Sequence, residues 1–149
     1  MAGIDHEIKT KFQNNRHRFI ANVIFTANWT QSRFSEFLKP FGLSSQQFNI
    51  LRILRGANDW VTMNKIKDLM IEKSPNATRL CDKLVDKELI ERQRNNEDRR
   101  AVFLKISKQG LELLQKIDER EGNNQMDFLE KMTEEEAQKF SDILDRIRA

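Results

Sequence analysis

Around residue 102 the chain changes its rhythm. Val102, Leu104 and Ile106 alternate with Ala101, Phe103 and Lys105, a period of two that belongs to a half-buried strand and not to a helix. Leu89 to Arg94 is a less regular strand candidate, and between the two lies Asn95-Asn96-Glu97-Asp98, whose side chains favour turns. A short hairpin is therefore expected at this point. What it can be part of depends on the elements that precede it.

Those elements announce themselves through helix-start signals. Leu43-Ser44-x-x-Gln47-Phe48 has the form of a capping box, with Ser44 as N-cap, Gln47 reaching back, and Leu43 and Phe48 in the staple positions. Met132-Thr133-x-x-Glu136-Ala137 repeats the pattern. Ile106-Ser107 followed by Leu111 has the cap and the staple, with Gly110 where the box glutamate would stand. Ser74-Pro75 reads as an N-cap with proline at the first helical position, where its missing N–H costs nothing. Thr62 is a weaker fifth cap.

Between these starts the apolar spacing is helical. Phe48, Ile50, Leu51, Ile53 and Leu54 predict a helix over about 45–55, closed by Gly56. Ile66, Leu69 and Met70 predict a short one over about 63–71, and Ala77, Leu80, Cys81, Leu84 and Val85 one over about 75–87. Three short helices, the last two separated by little more than Glu72-Lys73-Ser74, read as helix-turn-helix. A basic hairpin behind a helix-turn-helix is a winged helix. The fold expected is mainly α, with a two-stranded wing.

The ends are longer helical stretches. Ile4, Ile8, Phe12, Phe19, Ile20, Val23, Ile24, Ala27, Phe34 and Leu38 keep a roughly 3.6-residue rhythm from about Asp5 to Lys39, just before Pro40. Leu111, Leu114, Ile117, Phe128 and Met132 stay in register across Gly122-Asn123-Asn124, so one helix over 108–131, kinked at the glycine, is expected. A last helix over about 134–148 carries Ala137, Phe140, Leu144 and Ile147. The expected division is an N-terminal helix in 1–42, a winged helix in 43–106, and C-terminal helices in 107–149. Two-fold homodimers are the commonest assembly, and stripes this long call for a second copy. The alternative is a monomer whose ends fold back over its own core.

Charge points to the kind of partner. The net charge is only +3, yet residues 73–108 carry ten basic against six acidic side chains, a local density that suits a polyanion. On a helical wheel Ala77, Leu80, Cys81 and Leu84 face one way, while Pro75, Asn76, Arg79 and Lys83 face the other. The polar set has the shape and chemistry to enter a major groove, asparagine suiting adenine and arginine suiting guanine, with Ser74 and Thr78 placed to donate to phosphate. The competing reading leaves Arg79 and Lys83 solvated and paired with Asp82 or Asp86. Arg99 and Arg100 at the hairpin tip are placed for a neighbouring minor groove. Asp98 can hold the Arg100 guanidinium in one orientation. Arg94 and Lys105 are expected to touch phosphate.

Other functions find little support. One cysteine, Cys81, and two histidines, His6 and His17, cannot assemble an intramolecular disulfide or a Cys/His zinc centre. No G-x-G-x-x-G, P-loop, H-E-x-x-H or nucleophile elbow occurs, and Glu134-Glu135-Glu136 is explained by the helix macrodipole. No enzyme activity, cofactor or metal is expected. Without a long apolar run or a signal-peptide pattern, the expected location is the cytoplasm, away from any membrane.

The sequence resembles the MarR family of bacterial winged-helix transcription regulators. The resemblance rests on Leu43-Ser44-x-x-Gln47-Phe48-x-x-Leu51-x-x-Leu54, on Thr78-Arg79-Leu80-x-Asp82-Lys83-Leu84-x-x-Lys87-x-Leu89-Ile90-x-Arg92, and on Asp98-Arg99-Arg100-x-Val102-x-Leu104-x-Ile106-Ser107-x-x-Gly110. It implies a homodimer on an inverted repeat of double-stranded DNA, acting as a repressor, with Asp98 and Arg100 as the wing's reading pair. It also implies release by a small aromatic or lipophilic effector held near the first helices, for which Phe25, Trp29, Phe48 and Arg52 are the candidates. One departure stands out: where the family usually has glycine before Leu89, this chain has Glu88. A winged helix that binds RNA or protein is the remaining alternative, and the basic wing and recognition face argue against it.

Overall fold

The computed structural model describes residues 3–94, 97, 100–120 and 126–149. Its contacts divide the chain into two units, Met1–Asp118 and Glu119–Ala149.

The first unit begins with a single turn, α1 (Ile4–Glu7), followed by α2 (Asn15–Leu38). The continuous helix expected from Asp5 to Lys39 is therefore broken. Six consecutive polar residues, 13–18, interrupt the apolar stripe. Within them Asn14 takes an extended backbone and accepts the His17 N–H at 3.0 Å, the competition with helix that makes asparagine a good cap. Asp5 reaches back to Arg18 at 3.0 Å. A 3-10 turn, Lys39–Phe41, and Gly42 at φ +69° lead into α3 (Ser45–Ala57). Both reciprocal bonds of the Ser44/Gln47 capping box form. The helix runs through Gly56 to Ala57 and is closed by Asn58 at φ +50°. A helical glycine weakens a helix by about 1 kcal/mol without stopping it, whereas asparagine tolerates the left-handed conformation that does.

A two-residue strand, β1 (Val61–Thr62), precedes α4 (Met63–Leu69). Thr62 serves both: it pairs with Phe103, and its hydroxyl accepts the Lys65 N–H at 3.2 Å. Next come α5 (Ala77–Asp86), β2 (Ile90–Arg94), β3 (Val102–Ile106) and α6 (Lys108–Glu119). The antiparallel sheet has the order β1-β3-β2: the expected two-stranded wing forms as β2 and β3, and β1 adds a third strand on the far edge of β3. Leu38, Ile50, Leu51, Leu54, Ile66, Leu84, Leu104, Leu114 and Ile117 are almost wholly buried in one cluster. Each such side chain contributes on the order of 1.5–3 kcal/mol through removal from water.

The junction of α5, the sheet and α6 is the tightest point of this unit. Leu89 N–H donates to Leu84 C=O and Glu88 N–H to Val85 C=O, the two bonds of a Schellman ending. Buried Ser107 donates its hydroxyl to Glu88 C=O at 2.7 Å and accepts the Gly110 N–H at 3.0 Å. Its own N–H donates to Leu89 C=O at 3.1 Å. Gly110 is in place of a box glutamate because a Cβ there would lie 2.2 Å from the Leu89 carbonyl oxygen.

Glu88 occupies the C′ position at φ +60°. A non-glycine residue there is strained by about 1–2 kcal/mol, partly offset because glycine loses more chain entropy on folding. Glu88→Gly is accordingly expected to raise stability by about 0.5–1 kcal/mol, read as a higher urea midpoint with an unchanged slope. A lower midpoint would show that the Glu88 side chain contributes more than its backbone costs.

In the second unit, the 3-10 helix Asp127–Lys131 precedes α7 (Glu134–Arg148). Both bonds of the Thr133/Glu136 box form. The single helix expected over 108–131 is not found: α6 ends at Glu119, and Met132 is extended, freeing Thr133 to cap α7. The expected kink at Gly122 lies outside the described residues. No helix among the described residues is long and apolar enough to cross a membrane.

Candidate nucleic-acid interface

Helix α5 starts later than expected. Ser74 does not cap it; the Ser74 hydroxyl accepts the Asn76 N–H at 3.1 Å in a local turn that includes Pro75, and Asn76 becomes the N-cap without a side-chain bond. A serine hydroxyl closing on the backbone two residues on is the turn alternative to capping. The helix nevertheless has the expected two faces. Ala77, Cys81 and Leu84 are buried, whereas Pro75, Asn76, Thr78, Arg79 and Lys83 are exposed and Ser74 is half-buried.

The wing brings further cations to this side. Arg94, the last residue of β2, pairs with Val102, and Arg100 lies just before β3; both are exposed. Asp98 and Arg99 lie outside the described residues. A cleft of about 300 Å³ separates α4, α5 and the sheet. Thr78, Asp82, Arg92, Arg94 and Arg100 line it together with Asn64 and Lys67 of α4, over a floor that includes Met63, Cys81 and Leu104. Four cations against one carboxylate give the cleft a strongly positive field.

Asp82 does not pair with Arg79 or Lys83. It accepts from Arg92 Nη1 at 2.7 Å, tying α5 to β2. Lys67, Asn64 and Arg92 were not among the candidate site residues. The only sequence signal for the first two was the i, i+3 spacing that puts Asn64 and Lys67 on one face of α4. Cys81 is buried beneath this surface, and burial, reinforced by the neighbouring Asp82 charge and opposed by Lys67, pushes its thiol up to about 11. At neutral pH it is a protonated thiol packed as a small apolar group.

The effector candidates fall into two pairs. Phe48 is buried against the Phe34 ring, with centroids 5.5 Å apart, and the Arg52 guanidinium carbon lies over the Phe48 ring at 5.7 Å. On α2, Phe25 is half-buried and Trp29 exposed, with Arg33 over the indole at 5.4 Å. None of these four lines the cleft beside α5.

Known proteins share this fold. The family model described as transcriptional regulator SarA/Rot matches residues 32–117, more than half of the chain. Among curated proteins, the chain is 29% identical over 106 residues to the HTH-type transcriptional regulator MhqR of Bacillus subtilis, covering 71% of this chain and 72% of that one. It is 25% identical over 130 residues to the multiple antibiotic resistance protein MarR of Salmonella typhimurium, covering 86% and 90%. The fold is similar to that of a mutant E. coli MarR complexed with operator DNA, with a TM-score of 0.75 at 22% identity, covering 93% of this chain and 99% of that one. AbsC, a MarR family transcriptional regulator from Streptomyces coelicolor, gives a TM-score of 0.76 at 18% identity, covering 93% and 96%. These relatives regulate transcription and are not enzymes. A helix-turn-helix, a basic wing and a family match across both converge on one assignment: the chain is a MarR-family winged-helix transcriptional regulator of the SarA/Rot type.

Proposed function

We propose that the protein binds double-stranded DNA as a homodimer on an inverted-repeat operator and acts in the cytoplasm as a repressor. The observation that carries this reading is the cleft in which Thr78 and Asp82 of α5 meet Arg94 and Arg100 of the wing, with Arg79 and Lys83 exposed on the same helix outside it. Asn76, Arg79 and Lys83 read base edges in the major groove. Ser74, Pro75 and Thr78 pack against the backbone beside them, and Arg94 neutralises phosphate. Arg99 and Arg100 at the wing reach the adjacent minor groove, with Asp98 holding the Arg100 guanidinium in one orientation.

The flanking helices supply the dimer. Ile20, Ile24 and Trp29 of α2 and Phe140 and Ile147 of α7 are exposed, more large apolar surface than water-facing helices normally carry, and a second copy would cover it. Residues 1–42 and 107–149 are in this reading the dimerisation regions that frame the DNA-binding segment 43–106. Two recognition helices then fall roughly 34 Å apart, one turn of duplex. A small aromatic or lipophilic molecule near Phe25, Trp29, Phe48 and Arg52 would release the complex.

Binding selection over random duplexes in the presence of excess bulk RNA tests this. An enriched palindrome, bound with an affinity that falls steeply as salt rises, is the expected outcome. Retention of RNA in preference to every duplex would favour the RNA-binding alternative and reject the operator reading.

A further inference from the structure

The surface proposed to meet DNA contains a carboxylate, Asp82, and its position calls for an explanation. A negative charge on such a face repels the phosphates, so electrostatics alone would select against it. Its ion pair with Arg92 adds little to folding: the two side chains are 51% and 37% exposed, and pairs so open to water are worth about 0–1 kcal/mol. Neither stability nor affinity for a polyanion accounts for the residue. Its location does.

Strand β2 buries only Ile90; its other four residues are exposed. Its partner β3 buries Leu104 and Ile106, and Val102 is only half-buried. The hairpin is thus anchored in the core at its base and progressively less so toward Arg94 and Arg100. Arg92 pairs with Leu104, at the level where the anchoring fades, and there it bonds across to α5 through Asp82. Asp82 lies three residues from Arg79 and next to Lys83 on the helix. This bond therefore ties the outer wing to α5 at the level where the core no longer holds it.

We propose that Asp82 and Arg92 are positioning residues that set the distance between the major-groove and minor-groove readers, so that the two engage one duplex at once. The proposal rests on the DNA-binding reading above. Its consequence has an unusual sign: removing the negative charge of Asp82 weakens binding.

The test measures affinity for the selected palindrome with the full-length protein. Asp82→Asn is expected to bind about five- to tenfold more weakly than the unmodified protein, within the span of ordinary coupling effects. Arg92→Gln is expected to weaken binding as well, and Asp82→Asn combined with Arg92→Gln to bind no worse than Arg92→Gln alone, since the second change has nothing left to break. The exchanged pair, Asp82→Arg with Arg92→Asp, is expected to recover most of the loss. Base preference separates positioning from general damage: Asp82→Asn flattens the preference at positions under the wing and keeps it under α5. Unchanged or tighter binding by Asp82→Asn would overturn the proposal, as would a uniform loss of preference across the site. If the unmodified protein selects no duplex, the DNA-binding reading itself fails, and the proposal with it.

Discussion

Gly110→Ala is expected to lower folding stability by roughly 4 kcal/mol or more. Intrinsic propensity points the other way, since alanine favours a helix over glycine by about 1 kcal/mol. Geometry decides. The added methyl carbon would sit 2.2 Å from the Leu89 carbonyl oxygen, 2.7 Å from Ile106 Cγ1 and 3.2 Å from the Leu89 carbonyl carbon. Ile106 could turn its side chain aside, but the Leu89 carbonyl belongs to the backbone and accepts the Ser107 N–H. Moving it breaks that bond and disturbs the Schellman ending of α5. A urea titration followed by circular dichroism measures the effect, and a midpoint within about 1 kcal/mol of the unmodified protein would show that α6 can shift away at little cost.

Arg79→Ala is the counterpart, a change that spares folding and removes function. Arg79 is exposed on α5, so its loss is expected to alter stability by no more than about 0.5 kcal/mol. A bidentate arginine–guanine contact is worth about 1–3 kcal/mol of discrimination, so operator affinity is expected to fall about 5- to 150-fold. The preference at a single base pair of each half-site should relax while the others persist. A uniform loss at all positions, accompanied by a shallower salt dependence, would instead assign Arg79 to phosphate and move the base-reading role to Asn76 or Lys83.

Local chemistry in this chain was legible because it repeats within a few residues. The boxes at Ser44/Gln47 and Thr133/Glu136 form both of their bonds, and the period of two at Val102, Leu104 and Ile106 became β3. The anomaly at Glu88 also translated directly into a left-handed backbone. What stayed hidden depends on contacts or on competition between neighbours. Strand β1 is two residues long and exists only through pairing with Phe103 and Leu104, so no alternation could reveal it. At Ser74 the same hydroxyl can cap a helix or close a turn, and the sequence does not show which wins. The break after α1 was overlooked because the apolar frame of Ile4, Ile8 and Phe12 matched that of Phe19 despite the polar residues between them.

The surface was half legible for the same reason. The wheel assigned Asn76, Arg79 and Lys83 to the outer face of α5 without knowledge of anything beyond that helix. Lys67 and Arg92 belong to other elements, and only the turn between α4 and α5 and the course of β2 bring them to the cleft. The competing reading, in which Asp82 neutralises a neighbour on its own helix, gives way to a partner ten residues away.

Ser107 has a mechanical meaning as well as a structural one. A single hydroxyl clasps the tail of α5 and the head of α6, and the missing methyl of Gly110 lets the two segments touch backbone to backbone. Such a hinge pin has no slack. A tilt of α6 would therefore pull directly on the end of α5, the helix proposed to meet DNA.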